Sequence, residues 1–226
     1  MKNLIIFGTS KYTDLVEHYF HQYTDYRVCG YTMTNDFIHE REYHGKPIVP
    51  YENLEKYYPS EEYEMFVAVG SNRINEARKN LYFDCKARGY RLASFIHPKA
   101  IIDPSASIGE HCIIMENVVI HAFCEIGEDS IYFPSSAITH ETRVGAHSYV
   151  SSGVVVGGCT TIGDENFIGI SSIINDNKIV GSRCFISAGA VVATNLNDDT
   201  FLARDGKMEK IDERRKALFT YLMKRR

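Results

Sequence analysis

Residues 144–174 read VGAHSYVSSGVVVGGCTTIGDENFIGISSII. An aliphatic residue returns at every sixth position: Val144, Val150, Val156, Ile162, Ile168 and Ile174. At the same phase the series begins at Ile96, Ile102, Ile108, Ile114, Ile120, Ile126, Tyr132 and Ile138, and continues through Val180, Ile186 and Val192. Tyr132 alone breaks it. The chain holds 23 Ile and 15 Val in 226 residues, so an unslipped run of this length is not chance. Four residues after these positions the chain is mostly small: Ala100, Ala106, Cys112, Cys124, Ser130, Ser136, Thr142, Ser148, Thr160, Ser172, Cys184 and Ala190. Directly after the aliphatic, glycine stands at 109, 127, 145, 157, 163, 169 and 181.

A period of six is neither the 3.6 of a helix nor the 2 of a strand. It suits short strands joined by tight corners. The aliphatic plugs the interior, the small residue fills the space beside it, and the glycine is expected to take a corner conformation closed to other residues. Three hexapeptides make one triangular coil, and coils stack at ~4.8 Å, the hydrogen-bonding distance between strands. A parallel β-helix of about 5.7 coils is expected over residues 95–197.

Residues 1–94 lack this phase. Leu4–Phe7 reads as a buried strand, Gly8-Thr9-Ser10-Lys11 as a turn, and 12–22 as a helix with apolar Leu15, Val16, Tyr19 and Phe20. Strands over 27–32 and 65–69 and a helix over 74–88, stopped by Gly89, complete a βαβ pattern with a parallel sheet. A strand, a turn and a helix N-terminus form a phosphate cradle. Here only Gly8 of a glycine-rich fingerprint is present, so an ordinary βα turn remains the alternative. Residues 198–226 are expected to cap the open end of the stack, with a helix from Lys210 to Lys224 whose apolar face is Leu218, Tyr221 and Leu222.

The net charge of −4 gives no electrostatic footprint for nucleic acid, and the one basic run, Lys207 to Arg226, also carries Glu209, Asp212 and Glu213. No stretch is apolar over the ~18 residues of a membrane span, and Leu4-Ile5-Ile6-Phe7 is too short for a secretory core of ~7–15 residues. A cytoplasmic protein is expected. The six cysteines, 29, 85, 112, 124, 159 and 184, have neither zinc spacing nor a CxxC pair, and are expected as buried free thiols.

The segments SIGEHCIIMENVVI, VGAHSYVSSGVVVGGCTTIGDENFIGISSII and VGSRCFISAGAVV resemble the hexapeptide-repeat acyltransferases. That resemblance implies a left-handed helix and a homotrimer. A small Rossmann-like domain ahead of the β-helix, joined through FIHPKAIIDPSASIGE at 95–110, is similar to the bacterial nucleotide-sugar acetyltransferases of surface-glycan (O-antigen) pathways: the bacillosamine and perosamine N-acetyltransferases and relatives of the sialic-acid O-acetyltransferases. The resemblance implies an acetyl-CoA-dependent transfer, without a metal, to an amine of a nucleotide-linked sugar; a sugar hydroxyl is the alternative acceptor. Three domains are expected: a Rossmann-like nucleotide-sugar-binding domain over 1–94, the left-handed β-helix over 95–197, and a C-terminal cap over 198–226.

His140-Glu141 resembles the family's catalytic pair in sequence and phase. The chemistry requires such a pair. A sugar ammonium must lose a proton before nitrogen attacks a thioester; a neutral imidazole takes it, and a carboxylate steadies the imidazolium. A surface histidine in a polar turn is the plainer alternative. Gly158 matches the glycine whose N–H faces the developing oxyanion, and a corner glycine is its alternative. Tyr149 stands where the family often has a second histidine toward the acyl carbonyl. Gly169, Ile170, Ala188 and Gly189 match positions along coenzyme A. By position, Gly8, Thr9, Ser10, Lys11, Asn35, Asp36, Gly70, Ser71 and Asn72 are expected at the nucleotide sugar. The usual glycine-rich loop is degraded here to Gly-Thr-Ser-Lys.

His111, His121 and His147 are expected as exposed polar side chains. Together with His140 they raise a rival, a trimeric carbonic anhydrase with three shared His ligands. That family lacks a front domain of this type, and the spacing does not match. A non-enzymatic β-helix scaffold is a second rival.

Overall fold

The computed structural model describes residues 1–213, 216 and 217. The chain divides into two compact units: Met1–Gly70 with Asn80–Phe95, and Ser71–Lys79 with Ile96–Arg226.

In the first unit, β1 (Lys2–Phe7) is an interior strand of a five-stranded sheet. It pairs in parallel with β2 (Tyr26–Met33) and with β5 (Tyr63–Val67), and β2 pairs in parallel with β4 (Lys46–Pro50). The edge strand β3 (Glu42–Tyr43) runs antiparallel to β4, around a turn in which His44 and Gly45 have positive φ. Between β1 and β2 lies helix α1 (Lys11–Tyr23), with Thr13, Val16, Tyr19 and Phe20 buried. Phe20 meets Phe66 edge-on, ring centroids 5.3 Å apart. Helix α2 (Leu54–Tyr57) is one turn long, and α3 (Glu76–Ala87), of which the residues from Asn80 on belong to this unit, follows β5. The β3–β4 hairpin was not legible because Pro47 and Pro50 flank its short apolar pair; both lie near the sheet's margin, where a missing N–H is tolerated.

The second unit is a stack of coils. Short strands, nearly all of two residues, alternate with turns and form three faces of six, five and eight strands, parallel throughout except for the last strand of the eight. From Ile101 to Val192 each strand pairs with the one 18 residues away, as Val119 does with Ile101 and Ala137, and the last parallel pairing, Phe185 with Phe201, shortens the step to 16. This repeated parallel stack fits a left-handed β-helix. The inner column is the six-residue series: Ile138, Val150, Val156, Ile168 and Ile186 have no exposed surface. Burying each such side chain is worth about 1.5–3 kcal/mol. The small residues fill the remaining space and satisfy themselves on corner carbonyls: Thr142 Oγ1 donates to Gly157 O at 3.1 Å and Thr160 Oγ1 to Asn175 O at 3.2 Å.

The glycines after the aliphatics act differently from expectation. None has a left-handed φ. They are needed for space, because a Cβ on Gly109 would sit 2.5 Å from Glu128 N and one on Gly169 would sit 2.5 Å from Ala188 N. The left-handed corners are held by other residues, among them His111, Asp129, Glu141, His147, Cys159 and Arg183.

Two further expectations need correction. Cys159 is exposed and Cys29 half-buried, while the other four thiols are buried; all six are free. The helix expected from Lys210 begins too early. Strand Thr200–Leu202 extends the eight-strand face, and Met208–Lys210 returns antiparallel to it. Leu218, Tyr221 and Leu222 lie outside the described residues. No helix among the described residues is long and apolar enough to cross a membrane.

Candidate active site

The three faces of the stack carry different chemistry outside. Ser107, Glu125, Arg143, Thr161 and Ile179 precede the inner residues of the five-strand face, and Arg143 pairs with Glu125 at 3.1 Å. On the eight-strand face Tyr149, Phe167 and Phe185 stack ring on ring, with centroids 5.2 and 4.5 Å apart, and Ile74 and Ile211 lie against this column. The six-strand face bears Ile101, Val119, Ala137, Val155, Ile173 and Val191. Four of these are 42–65% exposed. It is an apolar face, with Val119 and Ala137 half-buried between its exposed residues.

His140 lies on the edge where this face turns toward the five-strand face. It follows strand Ala137–Ile138, its side chain is exposed, and Gly158 occupies the same corner one coil on. The imidazole lies directly over that glycine. A Cβ on Gly158 would be 2.5 Å from His140 Cε1 and 2.6 Å from Nε2. One coil further, Asp176 accepts the Gly158 N–H at 2.7 Å through Oδ1. The amide expected to face an oxyanion is thus engaged inside the chain. Glu141, in a left-handed corner, turns to Cys159, whose Sγ is 3.7 Å from Glu141 Oε2. Desolvation, with help from that carboxylate, raises the Cys159 pKa. Asp176 and Cys159 escaped the sequence reading. The signal was the 18-residue step, which from His140 leads to Gly158 and Asp176 and from Glu141 leads to Cys159.

The opposite edge of the same face gathers Gly169, Ile170, Ala188 and Gly189. Gly189 N–H donates to Ile170 O at 2.8 Å, and Gly169 backs directly onto Ala188 N. Ile170 is 53% exposed. Tyr149 belongs to neither edge. It stands within the aromatic column, where burial pushes its phenol up to about 12.

The third edge corrects another expectation. His111 and His147 are buried, since both imidazoles close on one carboxylate. Their Nδ1 atoms lie 2.8 Å from Asp129 Oδ1 and Oδ2. Arg78 Nε donates to Asp129 Oδ1 at 3.0 Å, and its Nη2 to Asp129 O at 2.9 Å. Burial opposes ionisation of Asp129, but the Arg78 charge and the two imidazoles outweigh it and hold the carboxyl below its usual range. His121 is exposed, as expected. Among the described residues no group of His, Cys, Asp or Glu could hold a metal ion.

In the first unit, Gly8 ends β1 at φ 119, where a Cβ would meet Thr13 Oγ1 at 3.1 Å and Ala68 O at 3.2 Å. The expected phosphate groups have local partners. Ser10 and Thr13 form a capping box, Lys11 pairs with Asp14 at 3.2 Å, and Thr9 Oγ1 donates to Met33 Sδ at 3.0 Å. Asn35 and Asp36 open a 3-10 turn, with the Asn35 N–H on the Glu52 carboxylate at 3.2 Å. Beside Thr9 lies a cavity of about 190 Å³ lined by Met33, Phe37, Ile38 and Tyr43 among others, and Phe37 is 62% exposed. Gly70 belongs to the first unit, Ser71 and Asn72 to the second.

Residues 96–198 match the model of the GMPPB C-terminal domain. Among solved structures, the acetyltransferase domain of PglB from Neisseria gonorrhoeae aligns with TM-score 0.81 and 24% identity, covering 93% of this chain and 100% of that one. A mutant of perosamine N-acetyltransferase from Caulobacter crescentus, in complex with CoA and GDP-perosamine, gives TM-score 0.81, 22% identity, and coverage of 93% and 98%. WeeI from Acinetobacter baumannii gives 0.63, 14%, and coverage of 92% and 100%. These likenesses extend over nearly the full length of each chain, so this chain has the fold of the hexapeptide-repeat sugar acetyltransferases.

Proposed function

We propose that the protein is an acetyl-CoA-dependent acetyltransferase acting on an amino group of a nucleotide-linked sugar, in the assembly of a surface glycan. The observation that carries this reading is the His140 imidazole, exposed and seated on a backbone with no side chain at Gly158, at the rim of an open apolar face. The shared fold with a perosamine N-acetyltransferase crystallised with CoA and GDP-perosamine supports the choice of donor and acceptor class.

The sugar ammonium gives one proton to solvent by way of His140 Nε2, and the neutral amine attacks the thioester carbonyl while the same imidazole takes a second proton from the nitrogen. The tetrahedral adduct expels coenzyme A thiolate, which takes the proton back from the imidazolium. The amide product and free thiol balance the amine and thioester consumed. For Gly158 N–H to serve the oxyanion, Asp176 must turn away from it. Glu141 acts on the imidazole through the local field.

The first unit, with its largely parallel sheet and single βα turn glycine, is read as a Rossmann-like nucleotide-sugar-binding domain. Gly8–Lys11, Asn35, Asp36 and Gly70, all within this unit, are assigned to the nucleotide. A phosphate at the α1 N-terminus would draw Lys11 from Asp14.

The working unit is a homotrimer. The six-strand face presents Ile101, Val155, Ile173 and Val191 as one exposed apolar row, the kind of surface that a second copy would cover. If three copies turn this face toward a threefold axis, the His140 edge of one meets the Ile170–Gly189 edge of the next. The catalytic and coenzyme groups then form one site, although they lie on opposite edges of a single chain.

The test is thiol release from acetyl-CoA in the presence of UDP-, dTDP-, GDP- and CDP-linked amino sugars, with the matching hydroxy sugars as controls. Release with an amino sugar and mass spectrometry of the N-acetylated product are expected. Turnover only with hydroxy sugars would replace N- by O-acetylation.

A further inference from the structure

We propose that Arg204 anchors the 3′-phosphate of coenzyme A, and so sets the preference of the donor site for the phosphorylated coenzyme. The inference rests on the coenzyme edge assigned above and names a residue outside the matched motifs.

Arg204 opens the turn between strands Thr200–Leu202 and Met208–Lys210. The turn is fixed by Ala203 N–H to Lys207 O at 2.8 Å and Gly206 N–H to Ala203 O at 3.0 Å. Its side chain is exposed and lies back along the coenzyme edge. A Cβ on Gly189 would stand 3.4 Å from Arg204 Nε and 3.8 Å from Cδ. Glycine at 189, at φ +69, thus supplies both the left-handed corner and a bed for the arginine stem.

The guanidinium has no ion-pair or hydrogen-bond partner among the described residues. Two other cations of the last coils have one: Arg183 pairs with Asp199 at 2.7 Å and Lys207 with Glu209 at 2.7 Å. Asp205, next in sequence, turns its carboxylate to Lys207 N–H at 3.1 Å. An open depression of about 550 Å³ lies over Ala203, Arg204 and Asp205. Below it the edge is apolar, with Ile170 53% and Val191 50% exposed.

An apolar track that ends in an unpaired arginine suits a ligand with a long neutral arm and a terminal dianion. A planar guanidinium grips phosphate oxygens by a two-pronged contact that a lone ammonium lacks. Arg204 lies one coil beyond Gly189 and four beyond the coil of His140. At ~4.8 Å per coil this is a rise of about 19 Å, along which the extended pantetheine arm can run.

The test is calorimetric titration of the full-length protein with coenzyme A and with dephospho-coenzyme A, for wild type, Arg204→Gln and Arg204→Lys. Wild type should bind coenzyme A roughly ten- to a hundredfold tighter than the dephospho form, as expected for a hydrogen bond to a charged group. Arg204→Gln should lose that gap, with the dephospho form bound as before, and Arg204→Lys should keep part of it. Equal wild-type affinity for the two forms, or an unchanged gap in Arg204→Gln, overturns the assignment. If wild type binds neither form, the coenzyme reading of the edge falls, and this inference falls with it.

Discussion

A side-chain carbon on Gly158 would stand 2.5 Å from Cε1 of His140, so the imidazole rests on a bare peptide one coil above its own. This contact explains why glycine occupies the position, and it fixes the ring without a hydrogen bond. Gly158→Ala should push the imidazole off its seat while the coil, closed by Cys159 N–H to His140 O at 3.0 Å, survives. Misplacing a catalytic group by about 1 Å costs on the order of 10²-fold in rate. The expected outcome is that loss in kcat with an unchanged melting temperature, checked by steady-state kinetics and calorimetry.

His140→Ala removes the proposed base itself. General-base loss lowers kcat by ~10²–10⁴-fold, and KM for acetyl-CoA should stay near wild type because the coenzyme edge is elsewhere. Glu141→Gln should do less harm, since the Glu141 carboxylate lies at Cys159 rather than on the ring. Retention of more than about a tenth of wild-type kcat by His140→Ala would remove it from the role of base.

The six-residue series predicted the coil interior and the role of the small residues, because both are set by repetition along one axis. What repetition hides is everything that differs between coils at one corner. The 18-residue step brings His111, Asp129 and His147 together, and no six-residue pattern marks those positions. Arg78 comes from the segment before the repeat, so its approach to Asp129 depends on a long-range fold. The glycines were located correctly and explained wrongly. A φ requirement and a close approach leave the same letter in a sequence, and only the coil above Gly109 or Gly169 shows which applies. Tyr149 illustrates a further limit: its phase fits an outward donor, but Phe167 and Phe185 stand on the same outward phase and stack it into a column.

Tyr132, the one exception in the aliphatic series, is fully buried, and its hydroxyl has no hydrogen-bond partner among the described residues. A buried unsatisfied hydroxyl costs about 1–3 kcal/mol. Tyr132→Phe keeps the ring and removes the cost. It should raise stability by about 1 kcal/mol and the melting temperature by roughly 2–4 °C. A lower melting temperature would mean that the phenol has a partner, such as a buried water.

Asp129 carries the charge that two imidazoles and Arg78 close upon. Asp129→Asn leaves Arg78 buried without its counter-charge, a loss of about 3–5 kcal/mol. The pH dependence follows from the depressed folded-state pKa of Asp129. Such a group contributes stability that is fully present above its unfolded value, ~3.9, and is lost as pH falls through the folded value. Denaturant unfolding from pH 7 to pH 3 should therefore show the gap between wild type and Asp129→Asn narrowing below about pH 4. A gap constant with pH would assign the effect to packing instead of charge.

The last prediction separates a site within one chain from a site shared between copies. His140 lies on one edge of the apolar face, and Ile170 and Gly189 lie on the other. If the reacting groups come from two copies, two different defects can complement each other. His140→Ala disables one edge, and Ile170→Glu sets a carboxylate on the coenzyme edge at an exposed position, where the fold should tolerate it. Each variant alone should form inactive trimers. Co-expressed and randomly mixed, about a quarter of the shared sites in a cyclic trimer should combine two intact edges. Activity should therefore return to a similar fraction of wild type, and Ile173→Asp on the apolar face should abolish both the trimer and the recovery. The checks are sedimentation for assembly and thiol release for activity. If the mixed trimers stay as inactive as their parents, both edges must act within one chain. The open face would then serve assembly alone.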